Sequence, residues 1–374
     1  PGVATAADST WRNAQAHKRV AEAAGTLTLV TPGFFAGANQ YGEQARADCD
    51  LRPATLRGLL RWWWRTLHVG FLDAKTLSNL EGVIWGDTEA GGLVRVVIEP
   101  TSARIADEYE FKDHFDPKPE IKRQHALGDK RDKKTTQGLF YATYGMDDGK
   151  DARHRYFLWP GAAWSVRLLA RPGQRNGFAL TADDVLEQAE AALWLLCHFG
   201  ACGAKSRKGF GSLNLKTDRA TIDTMAQCQF LAAAARQKLG LGNRFQDKLA
   251  ESAALGEPNR DWCPQFEVEV RTNDAWQLMD HIGFAYQAVA QQFAHKREKA
   301  ALGLPRQIHG PRKSPMNHQR GKWTMPEPLR SSRRGASRYA SPVSIHVAPL
   351  TDGFRVRVIA FPAAYLPNLT ESRA

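Results

Sequence analysis

The stretch LRPATLRGLLRWWWRTLH, residues 51–68, sets Arg52, Arg57, Arg61 and Arg65 beside three consecutive tryptophans. Arginine suits phosphate because its planar guanidinium donates two parallel hydrogen bonds to one anion. Tryptophan supplies a flat face on which a nucleobase can stack. On a helix, Arg57, Arg61 and Arg65 stand one turn apart along one side. Leu56, Leu59, Leu60, Trp63 and Leu67 fall in the neighbouring apolar stripe that marks the core face. Trp64 lies at the border beside the arginines and is the expected stacking residue, while Trp62 lies on the opposite border. The plainer alternative is an amphipathic helix whose arginines are only solvated.

A second cluster is GACGAKSRKGFGSL, residues 200–213, in which Gly200, Gly203, Gly209 and Gly211 punctuate Lys205, Arg207 and Lys208. Glycines let backbone N–H groups approach an anion closely, and the cations add attraction. The loop is no P-loop: it lacks GxxxxGK[ST] and follows its helix instead of preceding it, so nucleotide hydrolysis is not expected. The third cluster spans residues 296–338, where twelve lysines and arginines face two glutamates. Arg306, Arg312, Lys313, Arg333, Arg334 and Arg338 are its RNA-contact candidates. A solvated charge run is the ordinary reading of such a stretch; the interleaved Trp323, Tyr339, His309 and His318 favour nucleic acid.

Catalysis would need a general base for a ribose 2′-OH and an acid for the leaving oxygen. His68, with Asp48 and Asp50 in the preceding loop, forms the candidate set for a metal-independent RNA endonuclease. A lone histidine at a helix C-terminus is more often a partner of the helix dipole, so a non-catalytic role is the first expectation. Cys197, His198 and Cys202 have no second ligand cluster, and no metal or other cofactor is expected.

The 374 residues carry a net charge of +12, with 43% hydrophobic and 24% charged residues. That balance is ordinary for a folded protein with a sizeable core, and the basic excess points to a polyanionic partner. No apolar run reaches the ~20 residues that span a bilayer. The first twenty residues lack the apolar stretch of a secretory signal. Five scattered cysteines without a CxxC read as reduced thiols, so a cytoplasmic location is expected.

The elements that must position these residues follow from periodicity. Residues from 25 read as a strand that ends at Pro32-Gly33, Pro53 to about His68 as a helix and residues 91–100 as a second strand. Residues 101–157 are polar and aperiodic, an insertion or long loop. Residues 162–173 resume strand character, Thr181 and Asp184 make a capping pattern before an apolar helix, and residues 209–216 close as a strand. This β-α-β, insertion, β-α-β order is the split, ferredoxin-like arrangement of an α+β domain. Residues 1–24 are then an N-terminal extension, 25–217 the first unit, and 218–260 a helical connector. Residues 261–374 form a second, less complete unit that contains the basic segment 295–341. There a strand at 265–270, a helix capped by Asn273, and a hairpin over 342–361 are expected.

TPGFFAGANQ followed by LRPATLRGLLRWWWR, and later GAKSRKGFGSL, resembles RAMP proteins of CRISPR effector complexes, above all the first RAMP subunits of the type III-B (Cmr) complex. LGLPRQIHG and RYASPVSIHV resemble the second domain of that family. The likeness covers most of the chain apart from residues 1–24 and 101–157. It implies tandem ferredoxin-like (RRM-like, RAMP) domains and a non-catalytic, antiviral role that holds the CRISPR guide RNA near its 3′ end. The implied partners are that guide, target RNA and other RAMP subunits. Arg52, Arg57, Arg61, Arg65, Lys205, Arg207 and Lys208 carry over as RNA contacts.

Overall fold

Alternation in AEAAGTLTL sends Ala23, Leu27 and Leu29 to one side of a strand, β1 (Ala21–Leu29), and leaves Glu22, Ala24 and Thr26 exposed on the other. A computed structural model describes residues 20–39, 43–106, 138–143, 146, 156–217, 222–246, 253–258, 262–292, 307–309, 322–324 and 341–362. After β1 come α1 (Glu43–Ala47), α2 (Pro53–His68), α3 (Ala74–Trp85), β2 (Val94–Ser102) and α4 (Gly138–Thr143). Then follow β3 (Ala163–Ala170), a β4–β5 hairpin (Gly173–Arg175, Phe178–Leu180), α5 (Ala182–Phe199), β6 (Leu213–Thr217) and α6 (Met225–Lys238). The last part holds β7 (Gln265–Val270), α7 (Ala275–Gln292), β8 (Gln307–His309), β9 (Lys322–Thr324), β10 (Val343–Leu350) and β11 (Gly353–Ala360).

The first sheet has the order β2-β3-β1-β6, every pair antiparallel. With α2 leading from β1 to β2 and α5 from β3 to β6, this is the ferredoxin-like arrangement. Trp164, Val166 and Leu168 join Leu27 and Leu29 on the buried face, against Leu56, Leu60, Trp63, Val185, Ala189 and Leu196 of the two helices. The capping box of α5 is formed as its sequence dictates: the Thr181 hydroxyl accepts from the Asp184 N–H, and Asp184 accepts from the Thr181 N–H. β1 begins at Ala21, inside the stretch expected to be an extension, and ends at Leu29, shortly before the Pro32-Gly33 stop expected for it; Gly33 and Phe34 beyond it make only isolated bridges.

The second sheet, β10-β11-β7, has three strands in antiparallel pairs, with α7 between β7 and β10. α7 is capped by Asp274, whose carboxylate accepts from the Trp276 N–H at 2.8 Å, and not by Asn273. The expected insertion is not all loop. β2 extends into it as far as Ser102, and α4 comes from its far part and crosses α7 at backbone contact. A side chain on Gly138 would collide with the Asp280 carbonyl, and one on Gly283 with the Gly138 carbonyl. Asp280 also accepts from the Leu139 N–H at 2.9 Å. Leu139, Ala142 and Met146 thereby pack with Leu278, Met279, Ile282 and Val347. Phe34 and Phe210 of the first unit enter the same cluster, so the two units share a core at this point.

Candidate nucleic-acid interface

The segment after β1 is held between two others. Ala204 N–H donates to the Phe34 carbonyl (2.9 Å), and Gly211 N–H donates to the Pro32 carbonyl (2.9 Å). On the other side Gly33 and Leu158 exchange hydrogen bonds at 3.1 and 2.9 Å, and Leu158 also bridges to Ile105. The Thr31 hydroxyl donates to the Gly209 carbonyl (2.6 Å) and accepts from the Ser212 N–H (3.0 Å). The glycine-rich loop therefore lies against residues 31–37 as an irregular continuation of the first sheet.

Two of its glycines are required by that packing. A Cβ on Gly203 would strike the Phe34 carbonyl and one on Gly211 the Cys202 carbonyl, and both have positive φ (88° and 74°). Lys205 is itself left-handed, φ 61°, and opens the 3-10 turn Ser206–Lys208. The N-terminal end of α2 faces the same place: Arg52 donates to the Ala36 carbonyl at 2.9 Å. Phe34 to Gly37, Asp50, Thr55, Gly203 and Ala204 enclose a cavity of about 250 Å³ between helix and loop.

Arg207 lays its guanidinium over the ring of Trp62, 4.5 Å from the centroid, and 6.0 Å from that of Phe361. This joins α2, the loop and the end of β11. Lys208 donates to the Ala142 carbonyl at 2.9 Å and lies over the rings of Tyr141 and Tyr286 at 5.3 and 5.1 Å. Of the three loop cations, Lys208 is thus engaged with the helix pair of the second unit; all three are half-buried.

Along α2 the outcome differs from the helical projection. Arg52, Arg57 and Arg65 are exposed. Arg61 pairs with Glu81 of α3 at 2.7 Å, and Arg65 with the same carboxylate at 3.3 Å. Trp64 is fully buried and lies tilted against His68, 4.3 Å between centroids, so it has no face for a nucleobase. The border on which Trp64 projects belongs to the core: His68 beside it is bonded to Gln188 of α5 and Arg236 of α6, while α3, an element not foreseen from the sequence, holds Arg61 and Arg65 through Glu81. Trp62, on the other border, keeps a half-buried ring.

His68 is not placed for acid–base work. It is buried, its Nδ1 accepts from Arg236 (3.2 Å), and its Nε2 donates to the Gln188 side-chain oxygen (3.0 Å). Arg236 can only donate, which fixes that tautomer. Burial first, and then the Arg236 charge, lower its pKa to about 3. Neutral near pH 7, it is also no charged partner of the α2 dipole. Asp50 accepts from the Trp164 indole (2.8 Å) and from the Leu51 N–H (2.7 Å), and Asp48 lies against Gly37.

Cys197 and Cys202 are buried thiols whose pKa values burial raises far above normal, and the His198 ring is stacked on Trp194 at 3.8 Å. All five cysteines are buried and free. Among the described residues no group of three His, Cys, Asp or Glu side chains is placed to hold a metal ion, and no helix is long and apolar enough to cross a membrane. Arg306, Arg312, Lys313, Arg333, Arg334 and Arg338 lie outside the described residues.

Residues 26–214, from β1 to β6 and including α2 and the glycine-rich loop, match the RAMP superfamily. The chain belongs to the RAMP superfamily. Among curated RAMP relatives it is similar to the CRISPR system Cmr subunit Cmr1-1 of Pyrococcus furiosus, with 23% identity over 283 residues, 71% of this chain and 72% of that one. It is also similar to subunit Cmr1-2 of the same organism, with 26% identity over 204 residues, 52% of this chain and 95% of that one. The apo crystal structure of Pyrococcus furiosus Cmr1 shares its fold, with a TM-score of 0.53 at 19% identity, covering 92% of this chain and 89% of that one.

The RAMP match spans both the helix and the loop that meet here. Both parts are legible in the sequence, but Trp64, expected to stack, is buried, and Glu81 was not expected. Glu81 lies in a segment of the chain whose mixed polar and apolar residues gave no sharp period.

Proposed function

We propose that this chain is a guide-RNA-binding subunit of a type III-B (Cmr) CRISPR effector complex, holding the guide near its 3′ end without cutting it. The observation that carries the reading is the seating of the glycine-rich loop against the N-terminal half of α2. Thr55 of α2 and Gly203 and Ala204 of the loop line one cavity, and Arg52, bonded to the Ala36 carbonyl that also lines it, brings a cation to its edge. A cation beside open glycine backbone suits a phosphate, and Lys205 and Arg207 follow directly along the same loop. Phosphate contacts position RNA without reading its sequence, so little sequence preference is expected. The similar curated proteins are named as Cmr subunits, which supports membership of such a complex and neighbouring RAMP subunits as partners. A non-catalytic role is supported by His68: both of its ring nitrogens are used inside the core.

The test is purification of the complex from its native host, with sequencing of the RNA it carries. Repeat-derived guides of uniform 5′ end are expected. A complex that purifies with this subunit but without such RNA would remove the reading. An endonuclease would instead show single-position cleavage of repeat RNA by the isolated chain in chelator, abolished in Asp50→Asn.

A further inference from the structure

α2 carries a glycine that its own packing does not require. Gly58 is in the middle of the helix and exposed, and a Cβ built there meets no atom within 4 Å. Glycine in a helix interior costs stability relative to alanine. Among the described residues no neighbouring backbone or side chain accounts for it. Gly58 stands one helical turn before Trp62, on the same strip of the helix. Trp62 is the one member of the tryptophan triplet whose ring is not buried. Above that ring lies the guanidinium of Arg207, a cation on the turn of a glycine-rich loop. Trp63 and Phe361 brace the ring edge-on at 4.8 and 5.5 Å, so its orientation is fixed from two sides.

The geometry points to a nucleobase-stacking subsite made of Gly58, Trp62 and Arg207. A base of single-stranded RNA lies on the Trp62 ring, over the side-chain-free turn at Gly58. The Arg207 guanidinium, which occupies the ring in the free protein, gives way to it and bonds the adjoining phosphate. Stacking is tolerant of base identity because every base has a π face. Arginine suits both positions, since it stacks on an aromatic ring and also grips phosphate bidentately. The inference rests on the RNA-holding reading above and extends it to a named contact with the base rather than the backbone.

The experiment measures binding of a single-stranded RNA oligonucleotide to the purified chain by fluorescence anisotropy at several salt concentrations, with a melting curve for each variant. Gly58→Gln is expected to raise the melting temperature and lower RNA affinity together, a split that a purely structural glycine does not give. Trp62→Leu is expected to lower affinity by about 5- to 100-fold with an unchanged salt slope, because stacking releases no counterions, and Trp62→Phe to restore part of it. Arg207→Ala is expected to make the slope shallower by about 0.7, one phosphate contact. If the wild type binds RNA while Gly58→Gln and Trp62→Leu bind within two-fold of it, the subsite is overturned and the RNA-holding reading stands. If the wild type itself does not bind RNA, both fall. Should Trp62→Leu fail to fold, Gly58→Gln decides alone, since its site is open to solvent.

Discussion

The ammonium of Lys208, in the glycine-rich loop, donates to the carbonyl of Ala142, 2.9 Å away near the end of α4. A cation at a helix C-terminus is favourable, and two tyrosine rings flank this one. Lys208 therefore ties the loop to the second unit. Lys208→Ala is expected to destabilise the protein by about 1–2 kcal/mol and to lower RNA affinity less than Lys205→Ala. Urea denaturation alongside a binding isotherm checks this; unchanged stability with strongly reduced binding would return Lys208 to the RNA path.

Glu81 has a side chain only 11% exposed and is shared by Arg61 and Arg65. Arg61→Ala removes its shorter pair and is expected to cost about 1–3 kcal/mol, because a mostly buried carboxylate is left with one distant partner. Arg57→Ala, on the open surface, is expected to change stability by less than about 0.5 kcal/mol. Chemical denaturation of the two variants discriminates them, and equal losses would contradict the role given to Glu81.

Trp64 and Trp63 are both core residues, so replacing either with alanine is expected to cost roughly 3–5 kcal/mol. Differential scanning fluorimetry is sufficient. A Trp64→Ala protein with wild-type melting and weakened RNA binding would restore Trp64 as the stacking residue.

Much of this arrangement is written in local sequence. Pro53 and the leucine stripe mark α2, and Thr181 and Asp184 mark the start of α5, because capping and periodicity are properties of a few neighbouring residues. What surrounds α2 is not local. Whether Trp62 or Trp64 meets solvent depends on α5 and α6, and the partner of Arg61 lies twenty residues away on α3. The 101–157 stretch looks aperiodic because its short helix α4 completes the core of a different unit, through a glycine contact with α7 that no single window contains. Gly58 carries no signal in the sequence beyond its place in the helix; only the empty space around it sets it apart.

Two buried histidines, His68 and His346, and the half-buried His198 make stability depend on pH. Burial is the largest cause in each case, and it lowers His68 and His346 to about 3 and His198 to about 4. The unfolded chain takes up these protons near pH 6.5 while the native protein refuses them until far lower pH. Their contribution is therefore complete above about pH 6.5 and is lost as the pH falls from there toward 4. Unfolding free energy measured in urea from pH 7.5 to 4.5 is expected to fall with a slope reaching about three protons, and His68→Gln to lower that slope by about one. A flat profile would mean that these imidazoles are protonated in the native state.

The most direct test of the central claim is ultraviolet cross-linking of the intact complex, followed by mass spectrometry of RNA-bearing peptides from this chain. The account predicts guide-RNA cross-links in peptides that contain Arg57–Trp62 and Lys205–Arg207, the stretches of helix and loop that meet where Arg207 lies over Trp62. Guide RNA cross-linked to this subunit only at positions away from both α2 and the glycine-rich loop would contradict it.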